Sequence, residues 1–427
     1  MSGNEAPQSA WHASGPFASL HFRDFRLFWI GLFVSNIGTW MQMTATSWLL
    51  YELTNSPLQL GLNGVFRAIP AIGLGLFGGA LADRYDRKRL MLITQLTSML
   101  LAFALGFLAQ TSLIQVWHIY VLTSVSAVVG TLDGPARQAL YPSLVPASIL
   151  PNAITLNSLL WKGTALLGPS LAGIAISTIG TDGAFYANGL SFLAVVLSLS
   201  LMRTPTARSG SAGDLIEELK EGVSYVLAKD IILGIMVMEA VSSVFGLDQA
   251  MLTIFARDIL QIGASGLGFL QSARGLGAVI GSGILLSASQ TRSQGKLLFF
   301  SAIVYGVSFA LFGLSRSYPL SLALLLIAGA TDTVWAAARN IILQVQTPDT
   351  MRGRVMGVFH LSNRGLHPLG QAETGLVVPL LGAREATFWG GLLVAAVTLA
   401  TAWRVPSLAR FHWEATKGAK ILDAADP

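Results

Sequence analysis

The feature that most constrains this chain is a series of apolar blocks, each about twenty residues long, separated by short polar stretches. They fall near 26–50, 58–81, 90–110, 114–139, 152–179 and 183–202, then near 230–254, 263–288, 296–314, 318–341, 355–381 and 384–403. At about 1.5 Å per residue, such a block crosses a hydrocarbon core of roughly 30 Å. A segment inside lipid must satisfy its own backbone hydrogen bonds, so only helices and closed barrels can span. The short alternating segments of a barrel are absent here, and the blocks predict helices. Composition agrees, because 11% of the residues are charged against roughly 25% in an ordinary soluble domain. The expected fold class is all-α and integral to the membrane, with twelve transmembrane helices.

Charge sets the expected orientation. With both termini cytoplasmic, the cytoplasmic segments hold Arg23, Arg26, Arg84, Arg87, Lys88, Arg89, Arg203, Lys229, Arg352, Arg354, Arg404 and Arg410, among others. The opposite loops hold only Arg257, Arg316 and Arg384. That imbalance follows the positive-inside rule, and the formal charge of +5 calls for no nucleic acid. Residues 1–20 are polar and carry no cleavable leader pattern, so the first helix is expected to stay as an anchor. The organisation expected is a tail over 1–25, a six-helix bundle over 26–202, a linker over 203–229, a second bundle over 230–403 and a tail over 404–427. Within the linker, Asp214 is placed to cap an amphipathic helix, Leu215–Leu227, with Glu217, Glu218, Lys220 and Glu221 on its polar side.

The two halves repeat one another. At a constant offset of 202, Ala136 meets Ala338, Arg137 meets Arg339, Pro146 meets Pro348, Lys162 meets Arg364, and Gly163, Gly168 and Gly173 meet Gly365, Gly370 and Gly375. At an offset of 207, Leu60, Gly61 and Arg67 meet Leu267, Gly268 and Arg274. Two pseudo-symmetric six-helix bundles in parallel orientation suit a molecule that rocks about a central site.

The loop after the second span reads Gly78-Gly79-Ala80-Leu81-Ala82-Asp83-Arg84-Tyr85-Asp86-Arg87-Lys88-Arg89. It resembles the signature loop of the major facilitator superfamily. The resemblance implies a cytoplasmic gate: Gly79 for close helix contact, Asp83 for a helix N-terminus near 354–357, and Arg84, Arg87 and Lys88 for pairing across the face. Asp86 stands where that family usually has a second glycine. The second half's loop, 289–296, lacks the Asp-Arg pair, so gating should be asymmetric. The stretch from Asp133 through Pro169 resembles the enterobactin-exporter-like branch. Gly163, Gly168, Pro169 and Gly173 resemble the glycine-proline motif of drug–proton antiporters, where they would let the fifth span bend. Residues 121–129 contain no arginine where those antiporters carry one. The resemblance covers nearly the whole chain and implies export.

Ionisable groups inside spans are costly and are by default functional candidates. Asp133 and Arg137, four apart at the gate end, are expected to form a structural pair, and Asp332 and Arg339 share a face in the equivalent helix. Lys162 is expected to reach the inner surface. Glu239 stands alone in the seventh span and is the leading proton-coupling candidate, with Asp248 half a turn away and Glu373 as further acids. Arg67 and Arg274 are placed either to pair with these acids or to bind an anionic cargo. Asn36, Trp40, Gln42 and Met43 are candidate cavity residues on the first span. Packing inside the bundle explains the Trp and Met equally well. His360 and His367 flank Arg364 on one face, an arrangement ill suited to a metal, and no metal is expected.

With no cysteine, no thiol chemistry is available, and no phosphate-binding Gly-x-x-x-x-Gly-Lys-Ser/Thr loop points to ATP. The expected function is a secondary active exporter of a small amphipathic compound, drug-like or siderophore-like. It is expected to be driven by protons, monomeric and free of cofactors. Uptake, or movement of a lysophospholipid, is the alternative on the same fold. A membrane-embedded sensor or enzyme ranks lower, because no carboxylate cluster, His-Glu-x-x-His motif or appended soluble domain is present.

Overall fold

Helices α4 (Val116–Leu144) and α11 (Tyr318–Gln346) begin and end at equivalent residues, offset by the same 202 positions as the sequence repeat. The structure, a computed structural model, describes residues 15–84, 86–203, 215–287 and 293–412. The first half holds α1 (Arg23–Thr54), α2 (Pro57–Arg84), α3 (Arg87–Gln110), α4 and α5 (Leu150–Leu201). A connecting helix α6 (Leu215–Leu227) leads to α7 (Asp230–Phe245), α8 (Gln249–Ile254) and a π-helical turn, Phe255–Ile259. The second half continues with α9 (Gly263–Ser287), α10 (Gln294–Leu314), α11, α12 (Asp349–Leu381), α13 (Ala383–Arg404) and the short α14 (Pro406–Ala409).

Seven described helical segments are long and apolar enough to cross a membrane. One of them, α5, is 52 residues long, roughly 78 Å of helix, and cannot be a single span. It divides at Gly180, whose φ of 80° and ψ of 172° lie outside the helical region. Gly382, 202 positions on, has φ 88° and ψ 152° and separates α12 from α13. A positive φ at both turns explains why each is glycine. With α5 counted as two limbs, α1, α2, α9 and α12 complete the twelve spans. Gly61 and Gly64 of α2 and Gly268 and Gly275 of α9 lie against neighbouring helices. The lipid-facing surface is apolar, with Ile69 65% and Phe300 67% exposed.

Local chemistry sets several of the boundaries. Asp86 accepts a hydrogen bond from the Arg89 amide at 2.8 Å and caps α3, an interaction typically worth about 1 kcal/mol. That cap gives a reason for an acid where the family pattern has glycine. Asp248 caps α8 in the same way, accepting from the Met251 amide at 2.7 Å. The seventh span is therefore broken between Phe245 and Gln249. The expected angular relation of Glu239 and Asp248 assumed a continuous helix and does not apply. Asp214 lies outside the described residues. Glycine at position 222 lets α6 lie against the Arg354 carbonyl of α12, and Glu221 pairs with Arg354.

The chain ends gather on one face, here the near face: Arg23 at the start of α1 donates to the Leu201 carbonyl at 3.2 Å, and the Gly295 amide donates to Phe411 at 3.2 Å. The halves meet through α2 against α12 and α5 against α9. At the far face one apolar core crosses between halves, joining Leu50, Tyr51 and Leu60 to Met251, Phe255, Leu267 and Val378. Toward the near face the core splits. One cluster, including Phe25, Phe28 and Leu140, belongs wholly to the first half, and another, including Ile235, Leu298 and Trp335, to the linker helix and second half.

Candidate functional site

The glycine contacts explain the tight far-face seal. A Cβ on Gly61 would stand 2.8 Å from the Gln371 carbonyl and from the Gly375 Cα, and one on Gly268 would stand 2.3 Å from the Pro169 carbonyl. Polar groups bridge the same region: Thr44 donates to Gln271 at 2.7 Å, Ser272 to the Leu166 carbonyl at 2.6 Å, and Ser265 lies 3.0 Å from Ser177. Nearest the far face, Tyr51 donates to Asp258 on the π turn, and Arg257 covers the Tyr51 ring at 5.4 Å.

On the near side of this seal lies a cavity of about 580 Å³, walled by α9 and α11 with Lys162 reaching it from α5. Lys162 of α5, Ser282 of α9 and Asp332, Thr333 and Asn340 of α11 line it. Lys162 donates to Ser282 at 2.6 Å and so bridges the halves instead of reaching for the inner surface. Asp332 pairs with Arg274 at 3.4 Å, and Arg274 also donates to the Leu247 carbonyl at 3.1 Å.

Behind the cavity sits a buried charge pair, Glu239 of α7 with Arg339 of α11. Asn363 of α12 donates to the same carboxylate at 2.8 Å. The Arg339 guanidinium lies over Phe359 at 4.6 Å and Trp335 at 5.8 Å. Glu239 is thus not the isolated acid that its own helix suggests. Arg339 takes its acid from another helix 100 residues away, so it does not pair with Asp332. Asp248 is held by Thr374 at 2.9 Å as well as by its cap, while Glu373 has no hydrogen bond or ion pair among the described residues. Arg274 pairs with Asp332, not with Glu239 or Asp248.

In the first half, Asp133 accepts from Thr94 and Gln95, each at 2.9 Å, and pairs with Arg137 at 3.3 Å. Arg137 covers the Trp161 ring at 5.1 Å. Arg87 donates to the Ala139 carbonyl at 2.8 Å and Lys88 to Met202 at 2.9 Å. Each of these described gate candidates, with Arg339, bonds within its own half, so none of those contacts closes the near face. The side chains of Gly79, Asp83, Arg84 and Arg364 lie outside the described residues.

The first-span candidates separate. Asn36 is buried with its amide nitrogen unpartnered, and Met43 is half-buried. Gln42 accepts from Asn188 at 2.6 Å inside the first bundle. Trp40 seats on Gly168, where a Cβ would come within 2.4 Å of it. Gly173 admits Ala264 and Ser265 of α9, and Gly163 has only an ordinary contact with Phe33. Gly168 and Gly173 provide close packing, and α5 stays helical through Pro169 and is interrupted at Gly180. Asn363, Thr374 and Gln271 were not apparent from helical spacing, because each partner is on a distant helix.

Two pseudo-symmetric bundles around a central cavity define a major facilitator transporter. Residues 14–419 match the transmembrane secretion effector family of that superfamily, and the chain belongs to it. Its family and relatives are transporters, not enzymes, and it is a multi-pass membrane protein. It is 27% identical to the uncharacterized MFS-type transporter YfiS of Bacillus subtilis, over 86% of this chain and 90% of that one. It is also 27% identical to the enterobactin exporter EntS of Escherichia coli O9:H4, over 88% and 90% of the two chains. Among solved structures, a bacterial homologue of ferroportin in an inward-facing state superposes with a TM-score of 0.67 at 15% identity, covering 89% of this chain and 98% of that one. The nucleoside transporter NupG superposes with a TM-score of 0.68 at 15% identity, over 90% and 99%.

Proposed function

We propose that this transporter exports a small amphipathic compound from the cytoplasm, with both termini inside an inner membrane and inward proton movement as the driving force. The observation that carries the reading is the core that is shared at the far face and divided at the near face. With the basic residues of the near face set toward the cytoplasm by the positive-inside rule, the cavity of about 580 Å³ is open to the cytoplasmic solution. A compound entering there meets the polar Lys162, Asp332, Thr333 and Asn340 beside the apolar Leu285, Ala336 and Ala337, which suits an amphipathic cargo. Rocking of the halves about α2–α12 and α5–α9 would expose it to the other side. A relative that exports enterobactin favours the outward direction.

Glu239 is the proposed coupling group, with Asp248 and Glu373 as the alternatives. Protonation of Glu239 would release Arg339 and Asn363 from their shared carboxylate, so proton occupancy and the packing of α7, α11 and α12 would be linked. One chain holds both bundles and the whole pathway, which supports a monomer. The test is purified protein in liposomes with a trapped pH-sensitive dye, challenged with cationic drugs, siderophores and lysolipids. Substrate-dependent proton flux is expected. Substrate movement without proton flux would remove the coupling, and movement of nothing in the panel would remove the export reading.

A further inference from the structure

Arg67 of α2 is an arginine of the transport region with no role in the proposed coupling. It is exposed on α2, which packs between α4 and α12. Among the described residues no acid pairs with it. Its equivalent by the 207-residue repeat, Arg274, has an acid, Asp332 of α11.

The repeat identifies what is missing. At the 202-residue offset that aligns α4 with α11 end to end, the position equivalent to Asp332 is Gly130. The helix pairing is equivalent as well, since α2 packs on α4 as α9 packs on α11. A Cβ placed on Gly130 would have nothing within 4 Å, and the same is true of Gly134 one turn on. The first half therefore keeps the arginine, lacks its carboxylate and leaves open space at that position.

Asp332 pairs with Arg274, and among the described residues Arg67 has no such partner. A guanidinium inside a bilayer is costly unless something pairs with it, and its planar fork matches a carboxylate or a phosphate. We infer that Arg67 and the open space over Gly130 form a subsite for the anionic group of the cargo, which is thus an amphipathic anion. This rests on the transport reading of the central cavity and adds the charge of what enters it.

The experiment measures binding of two fluorescent probes to the purified full-length chain: 11-(dansylamino)undecanoic acid and its amine counterpart, N-dansyl-1,11-diaminoundecane. The acid is expected to bind at least tenfold more tightly than the amine. Arg67→Gln removes the guanidinium, and Gly130→Asp supplies the carboxylate found in the other half, so each should abolish the preference. Arg67→Lys should keep part of it. Equal binding of the two probes by the wild type, or an acid preference retained in Arg67→Gln and Gly130→Asp, would overturn the inference. If a variant does not fold, by gel filtration, the acid-to-amine ratio of the wild type decides alone. The result is separable from the export reading. Liposomes that move no compound would sink export without touching an acid preference, whereas an exporter that selects amines would sink the Arg67 subsite alone.

Discussion

Glu239 and Arg339 show how a charge can be costly and useful at the same residue. Breaking a buried pair by removing one partner typically costs about 3–5 kcal/mol, because the other charge is left without compensation. Glu239→Gln should therefore lower thermal stability by an amount in that range, and Glu239→Gln with Arg339→Gln should recover part of it. A thermal-unfolding cycle over the four proteins measures the coupling, and independent, additive losses would contradict the pair. In the liposome assay Glu239→Gln is expected to abolish substrate-dependent proton flux. Unchanged flux would shift the role to Asp248 or Glu373. The sequence marked Glu239, Arg339 and Arg274 as charges needing an explanation, but it mispaired them. Helical spacing reveals partners three, four or seven residues apart, whereas the partners used here are 58 and 100 residues away.

At the scale of elements, the far-face seal depends on backbone approach. Gly61→Leu would drive a side chain into Gln371 and Gly375 of α12, so transport should fall about five- to 150-fold, from the roughly 1–3 kcal/mol that overpacking costs. Substrate uptake into vesicles measures it, and normal transport would show that α2 and α12 need not close. Tyr51→Phe removes one hydrogen bond across the halves. At roughly 1–2 kcal/mol, the loss should raise far-face opening about five- to thirtyfold, read as faster maleimide labelling of a cysteine placed at Ile254 beside it. An unchanged rate would mean the Tyr51–Asp258 contact does not hold the seal. Much of this scale was legible beforehand. Apolar blocks gave the spans, and the spaced glycines of both halves marked close helix contacts. The break in the seventh span was not visible, because Asp248 reads as an intramembrane acid until the helix is seen to start at Gln249.

For the molecule as a whole, the repeat predicted two bundles, and the structure adds how they sit: joined at one face, parted at the other. No pattern within a single span encodes that asymmetry, since it depends on which surfaces of the two bundles touch. The central claim is that the cavity is open to the cytoplasm at rest and to the other side during the cycle. The native chain contains no cysteine, so a single Ala336→Cys on the cavity wall can be read without background. Labelling with a membrane-impermeant maleimide in inside-out and right-side-out vesicles tests the claim directly. Labelling should be fast from the cytoplasmic side at rest, and should come from the outer side only when substrate and a proton gradient are supplied. Fast labelling from the outer side at rest, or access that ignores substrate and gradient, would contradict it.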